Sequence, residues 1–139
     1  MKTIHIALVF VCVFNYAQSS MTEAQLKSAA KLLKNVCQPK TKITPAQLDN
    51  LHKGIFSTEP IVLSYMECVL RTGQIMKDGK LNYESLKSQM MNLPADRLEP
   101  GLITTENCKD SAKSTDKYMA AYEFYKCFYE DNPANFFLP

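Results

Sequence analysis

The residues of this chain with the widest range of chemistry are its cysteines, of which the sequence has five. A cysteine thiolate can attack a substrate, ligate zinc or pair in a disulfide. The sequence has no CxxC motif, and His52 is the only histidine after residue 20. Neither pattern favours thiol catalysis or a metal site, so we predict disulfides and no catalytic residue, metal ligand or cofactor. The predicted disulfide cysteines are Cys37, Cys68, Cys108 and Cys127.

The fifth cysteine, Cys12, lies in a leader that has the pattern of a secretory signal peptide. Lys2 precedes an apolar run over residues 4–14, and small residues follow near Ala17 and Ser19. Such a run is too short to span the roughly 30 Å hydrocarbon core of a membrane. We therefore expect residues 1–19 to be cleaved. A secreted, extracellular single domain of residues 20–139 then keeps four cysteines, an even number that suits an oxidising compartment.

The charge pattern excludes one class of partner. The chain has 16 lysine and arginine residues against 14 aspartate and glutamate residues, and the two signs are interspersed. A nucleic-acid-binding protein usually has a basic stripe, which is missing from this sequence. We therefore predict no nucleic-acid partner, and the short leader argues against stable membrane insertion.

Helices are the elements predicted to position these cysteines. Thr22 and Thr44 each begin a capping box, with glutamine three residues later, and each predicts a helix start. The first helix is expected to end near Cys37, because Pro39 follows it. A third helix from about Pro60 has apolar residues around much of its circumference, which indicates a central position.

Three further helices complete the predicted fold. Asn82 can cap a fourth helix that ends at Pro94, and a fifth is predicted over residues 98–114 with an interruption at Pro100. A sixth helix is predicted over residues 115–130. The apolar tail, residues 131–139, is expected to fold back, because its exposure to water is unfavourable. Since no strand-like alternation is found, the predicted fold class is all-α.

Six helices after a leader, with this arrangement of cysteines, resemble the insect odorant-binding proteins, a family of small secreted carriers that includes pheromone and general odorant-binding proteins. That family normally has six cysteines, and its spacing places the two missing ones at Ser64 and Tyr118. Those two positions are disulfide partners in the family. One whole bridge is therefore absent, as in the Minus-C subgroup with four mature cysteines.

The resemblance also implies how the four cysteines pair. Spacing alone leaves three connectivities open. By the resemblance, Cys37 pairs with Cys68 and Cys108 pairs with Cys127. The two bridges then hold a six-helix odorant-binding-protein fold around an apolar cavity.

The excess of methionine and aromatic residues has two competing explanations, a packed core and a binding site. From composition alone, apolar residues at helical spacing indicate packing. The resemblance implies that some of them line a cavity for a small hydrophobic ligand. The family pattern points to Met66, Phe128 and Leu138, the last of which closes the pocket. Helical phase and tail position add Val69, Leu70, Met91, Ala121, Tyr125 and Phe137, and Tyr125 can hydrogen-bond a ligand hydroxyl or carbonyl.

These observations predict a carrier of odorants, pheromones or similar semiochemicals through extracellular fluid, and not an enzyme. As the resemblance implies, the carrier delivers its ligand towards an olfactory receptor, and we expect a monomer or a weak homodimer. The alternative is a secreted helical interaction protein that docks its exposed apolar tail or a helix on a partner or lipid surface. A cavity with the tail tucked in favours the carrier, and an exposed apolar patch over a filled core favours the alternative.

Overall fold

A computed structural model describes residues 20–139, so the predicted signal peptide, residues 1–19, lies outside the described residues. The described part is built from six helices, which confirms the predicted all-α fold. They are α1 (Glu23–Thr41), α2 (Pro45–His52), α3 (Pro60–Thr72), α4 (Tyr83–Met90), α5 (Ala95–Cys108) and α6 (Lys117–Asp131). A 3-10 turn, Pro133–Asn135, follows α6 and leads into the tail.

Both predicted capping boxes are present. The Thr22 hydroxyl accepts a hydrogen bond from the backbone N–H of Gln25 at 3.2 Å, and the Gln25 side chain accepts one from the N–H of Thr22 at 2.8 Å. Thr44 and Gln47 make the same reciprocal pair at the start of α2. These local bonds satisfy donors that a helix N-terminus would otherwise leave free, so the sequence alone is enough to place both starts.

Two prolines do not end or interrupt helices as predicted. Pro39 lies inside α1, which continues to Thr41 and ends where Lys42 takes a left-handed conformation with φ of 61°. Pro39 in the last turn forfeits a single hydrogen bond, which the surrounding packing tolerates. Likewise, Pro100 lies within α5. That helix begins directly after Pro94 and ends at Cys108, so the predicted range of 98–114 is wrong at both ends.

A short antiparallel hairpin, which the sequence did not predict, separates α3 from α4. Its strands are β1 (Met76–Lys77) and β2 (Lys80–Leu81). Asp78 and Gly79, which connect the two strands, both have positive φ, 51° and 75°. Two successive positive φ angles are typical of the two-residue turn that closes a hairpin. Strands of two residues are too short to show an alternating pattern, which is why they leave no signal in the sequence.

Helix α3 is the centre of the packing, as predicted. Seven of its thirteen residues are buried, and it packs against both α1 and α6. Cys37 pairs with Cys68, which joins α1 to α3, and Cys108 pairs with Cys127, which joins α5 to α6. The pairing implied by the family resemblance is therefore confirmed.

No disulfide joins α3 to α6 among the described residues, and an ion pair links them instead. Glu67 of α3 is buried, and its carboxylate lies 2.9 Å from Nε of Arg71 and 3.8 Å from Nζ of Lys117 at the start of α6. Only the Glu67 side chain is buried, whereas Arg71 and Lys117 are about half exposed, so solvent screens both contacts. Glu67 therefore makes a polar link between α3 and α6 close to the two positions, Ser64 and Tyr118, where the resembling family has its third bridge.

Two adjacent buried threonines of α5 should respond to the same substitution in opposite ways. The Thr104 hydroxyl donates to Asp131 at 2.6 Å, whereas the Thr105 hydroxyl has no partner within residues 20–139. We expect Thr104→Val to lower the free energy of unfolding by about 1.5 kcal/mol, because it removes a hydrogen bond to a charged group. Thr105→Val should be neutral or raise stability by up to about 1 kcal/mol, because it removes an unsatisfied hydroxyl. Urea denaturation of both variants tests this, and equal losses would contradict it.

Candidate functional site

An apolar cavity of about 200 Å³ lies between the helices and the C-terminal tail. Four residues of α1 form one side, at the spacing of a single helix face: Leu26, Ala29, Ala30 and Leu33. Helices α3, α4, α5 and α6 contribute the other sides, and the tail residues Asn135, Phe137 and Pro139 cover one end. The tail therefore forms part of the cavity wall.

Five of the nine residues predicted to contact a ligand line this cavity. They are Val69, Leu70, Tyr125, Phe128 and Phe137. Val69 and Leu70 project from the central helix α3, and Tyr125 and Phe128 lie on one face of α6. Residues of two helices that are distant in the sequence therefore line the same cavity.

The other four predicted residues are not part of the lining. Met66 and Ala121 are fully buried, but each lies one turn before the stretch of its helix that reaches the cavity. Met91 follows the last residue of α4 and is 51% exposed. Leu138 is buried in the hydrophobic core and does not line the cavity, whereas its neighbours Phe137 and Pro139 do.

The contribution of α1 and α4 to the cavity is not predicted from the sequence. The apolar stripe on α1 indicates only a buried helix face, and Leu86 and Met90 of α4 carry no separate signal for a site. All of these residues line the cavity. Helical spacing is their common signal, but spacing cannot distinguish a face that meets side chains from a face that meets empty space.

The tail is held in place by polar bonds and by aromatic packing. The buried Tyr65 hydroxyl donates to the main-chain oxygen of Pro139 at 2.5 Å, and Nε2 of His52 lies 3.0 Å from the Leu138 oxygen. The Phe136 ring packs edge-on against Phe56, Tyr125 and Tyr129. These contacts keep the apolar tail out of water.

Two polar residues of the lining, Asn92 and Arg97, lie at the rim of the cavity where α1 begins. The backbone N–H of Met21 donates to the Asn92 oxygen at 2.8 Å, which joins the segment before α1 to the turn between α4 and α5. Arg97 of α5 forms an ion pair with Glu23 of α1 at the same place. The rim is therefore held by local bonds, while the inner surface of the cavity is apolar.

Burial changes the ionisation of two tyrosines near the tail. Removal from water raises the pKa of Tyr65 to about 12. Burial raises the pKa of Tyr125 further, and the neighbouring Tyr65 adds to this effect. Both phenols therefore remain neutral hydrogen-bond donors at physiological pH.

Stability should decline as the pH rises above about 10. The folded-state pKa of Tyr65 is about 12 against 10.0 unfolded, so the folded state holds this proton more tightly. The stabilising contribution of Tyr65 to folding is therefore complete below pH 10 and is lost as the pH rises through 12. Denaturation monitored by far-UV circular dichroism between pH 8 and 11 measures the slope. Tyr65→Phe should reduce the slope and leave the part that comes from Tyr125, whose pKa is also raised by burial; an unchanged slope in Tyr65→Phe contradicts the assignment.

A metal-binding cluster and a membrane-spanning helix are both absent from residues 20–139. No group of three or more histidine, cysteine, aspartate or glutamate side chains is placed there to hold a metal ion. None of the helices described there is both long enough and apolar enough to cross a membrane.

Known proteins share both the sequence and the fold. The model of the PBP/GOBP family matches residues 19–131. General odorant-binding protein 72 of Anopheles gambiae is 34% identical over 116 residues, which cover 82% of this chain and 96% of that protein. The structure of odorant binding protein 4 of Chrysopa pallens matches with a TM-score of 0.80 and 44% identity, over 86% of this chain and 99% of that one.

A more distant structure shares the fold. Odorant binding protein 5 of Apis mellifera matches with a TM-score of 0.81 at 24% identity, over 86% of this chain and 99% of that one. The family model, the relative from Anopheles gambiae and the six-helix fold with its two disulfides agree, and the chain therefore belongs to the PBP/GOBP family of odorant-binding proteins.

Proposed function

We propose that this protein carries one small hydrophobic molecule, an odorant, a pheromone or a similar semiochemical, through extracellular fluid. The single observation that carries the proposal is the apolar cavity of about 200 Å³ at the centre of the fold. Well-packed interiors contain few voids larger than a water molecule, so a space of this size in a small domain suggests a ligand. The names of the relatives, all odorant-binding proteins, support the chemical class.

The cavity volume sets the size of the ligand. A close-packed organic solid occupies roughly 20 Å³ for each non-hydrogen atom. The cavity volume of about 200 Å³ therefore holds about ten such atoms. That is the size of a volatile ketone, ester or monoterpene and is smaller than a long-chain lipid. We expect Val69, Leu70, Tyr125, Phe128 and Phe137 to contact the ligand, together with the α1 face.

The tail argues against the alternative of a docking protein. One form of that alternative, docking through the tail, requires an exposed apolar tail, but Leu138 and Pro139 are buried and Phe136 packs among aromatic rings. Docking through the tail would first have to break these contacts. The carrier is therefore the better account of the same residues.

The wider biology belongs to the proposal as well. The signal-peptide pattern of residues 1–19 and the two disulfides support secretion, and the two-bridge framework supports the Minus-C subgroup. We expect the carrier to act as a monomer or weak homodimer, to deliver its ligand to an olfactory receptor and to leave that ligand chemically unchanged.

Isothermal titration calorimetry on the oxidised mature protein tests the proposal. A panel of neutral volatiles with eight to twelve non-hydrogen atoms should include members that bind at one site per chain with micromolar affinity. Their binding should show a negative heat-capacity change, because apolar surface is removed from water. Ligand extracted afterwards should be unchanged by gas chromatography. Absence of saturable binding across the panel, by protein with native helix content and both disulfides formed, would overturn the carrier assignment.

A further inference from the structure

The wall of the cavity comes closest to solvent in the turn between α4 and α5. Of the described residues that line the cavity, Asn92 in this turn is exposed, and the others are buried or half-buried. The lining residues at the end of the tail, Phe137 and Pro139, are half-buried and buried. Asn92 therefore marks the part of the wall that water reaches most easily.

A few polar bonds close this part of the wall. The backbone bond from Met21 to Asn92 joins the segment before α1 to the turn. Beside it, Nε and Nη2 of Arg97, in the first turn of α5, both point to the carboxylate of Glu23, the first residue of α1. The side chains of Arg97 and Glu23 are 28% and 41% exposed. Water screens an ion pair of this kind, so it can open without leaving a buried charge unpaired.

The two helices that meet at the rim are fixed by disulfides only at their far ends. At 1.5 Å per residue, Cys37 lies about 21 Å along α1 from Glu23, and Cys108 lies about 17 Å along α5 from Arg97. Between Arg97 and Cys108, Pro100 removes one helical hydrogen bond, which weakens α5 against bending at that point. The starts of both helices can therefore separate while the bridged part of the fold stays in place.

The tail is held more firmly than the rim. The hydrogen bond from Tyr65 to the Pro139 oxygen is buried, and the Phe136 ring packs against three aromatic rings. Opening the cavity at the tail would break that buried bond and expose apolar rings to water. Opening it at the rim breaks polar bonds that water can replace. The rim is therefore the less costly place for a ligand to pass.

We propose that a ligand enters and leaves the cavity between the start of α1 and the α4–α5 turn, and that the Glu23–Arg97 ion pair is a latch that sets the rate of this exchange. The inference rests on the proposed carrier function and adds to it a route and the control of its rate. Glu23 does not line the cavity. Its loss therefore lowers the barrier to entry and to exit alike and leaves Kd nearly unchanged.

Glu23→Gln tests the latch, because it removes the charge and keeps the size of the side chain. The capping box of Thr22 and Gln25 stays in place. The probe is 2-nonanone, a neutral volatile of the size that the cavity holds. Exchange NMR with isotope-labelled 2-nonanone measures koff, and calorimetry measures Kd. We expect koff and kon each to rise about threefold and Kd to stay within about twofold.

The salt dependence of koff gives a second readout. The screening length falls from about 30 Å at about 0.01 M salt to about 3 Å at about 1 M. A latch made of partly exposed charges loosens over this range, so koff of wild type should rise towards that of Glu23→Gln. The koff of Glu23→Gln itself should change little. Effects of salt on the solubility of 2-nonanone act on both proteins alike and cancel in the comparison.

Two further variants locate the effect. Glu130→Gln removes an exposed ion pair with Lys126, and neither residue lines the cavity, so koff should stay as in wild type. Tyr65→Phe removes the buried bond that holds the tail. If the ligand passes at the rim, koff of Tyr65→Phe should stay within about twofold of wild type.

The outcomes separate this inference from the carrier function on which it rests. If 2-nonanone binds but Glu23→Gln changes neither koff nor its salt dependence, the latch is overturned. Faster release from Tyr65→Phe and not from Glu23→Gln would place the exit at the tail. A weaker Kd with unchanged kon in Glu23→Gln would make Glu23 a structural residue and also overturn the latch. If neither 2-nonanone nor the wider volatile panel binds, the carrier function itself fails.

Discussion

Replacing Cys37 and Cys68 together by serine should lower the free energy of unfolding by about 3.7 kcal/mol, the chain-entropy cost of opening the loop that this bridge closes. The two cysteines have a sequence separation of 31. The bridge joins α1 to α3, and both cysteines are buried, so its loss also removes the covalent link between two cavity walls. For a domain of this size such a loss is a large part of the total stability, and Tm should fall by about 10 to 20 °C.

The second bridge provides the matched comparison. It closes a loop with a sequence separation of 19 between α5 and α6, which also contribute walls of the cavity. For Cys108→Ser with Cys127→Ser the same relation gives a loss of about 3.2 kcal/mol. Guanidinium denaturation measures both losses, and calorimetry with 2-nonanone measures binding. Losses below about 1 kcal/mol for both pairs would show that helix packing alone holds the fold.

The helices could be predicted where their signals are local. A capping box such as that of Thr22 and Gln25 is complete within four residues, and the structure contains it as expected. The effect of a proline depends on its surroundings, and the predictions at Pro39 and Pro100 are therefore wrong. Each proline removes one hydrogen bond from a helix whose neighbours continue to pack on it. The cost of one bond is known from sequence, but the packing that offsets it is not.

The disulfide pairing could be predicted only from the family resemblance, because four cysteines permit three pairings and no spacing rule selects one.

The candidate site could be predicted from the sequence only in part. Val69 and Leu70 reach the cavity because α3 is apolar around most of its surface and lies at the centre. Met66 lies on the same face of α3 but one turn before the part of the helix that lines the cavity. Helical spacing identifies the buried face of a helix. It does not show which part of that face packs against side chains and which part lines a cavity.

Ala30→Phe should abolish binding while leaving the fold intact. Ala30 lines the cavity from α1. A phenyl group there adds roughly 100 Å³ of side chain, about half of the available space. A ligand of about ten non-hydrogen atoms then no longer fits, and we expect affinity for 2-nonanone to fall at least 100-fold, or about 2.7 kcal/mol. Ala30→Val fills less space and should cause a smaller loss, so the series tests volume directly.

The stability of Ala30→Phe distinguishes a filled cavity from a damaged core. Filling empty apolar space returns about 24 cal/mol for each Å³, or up to about 2.4 kcal/mol here, against about 0.5 kcal/mol for the weaker helix propensity of phenylalanine. Ala24→Phe on the same helix is exposed and carries only the propensity cost, so it should bind normally. If Ala30→Phe loses binding and is as stable as wild type or more stable, the phenyl ring fills the cavity in which the ligand binds. Normal binding by folded Ala30→Phe would move the site away from this cavity.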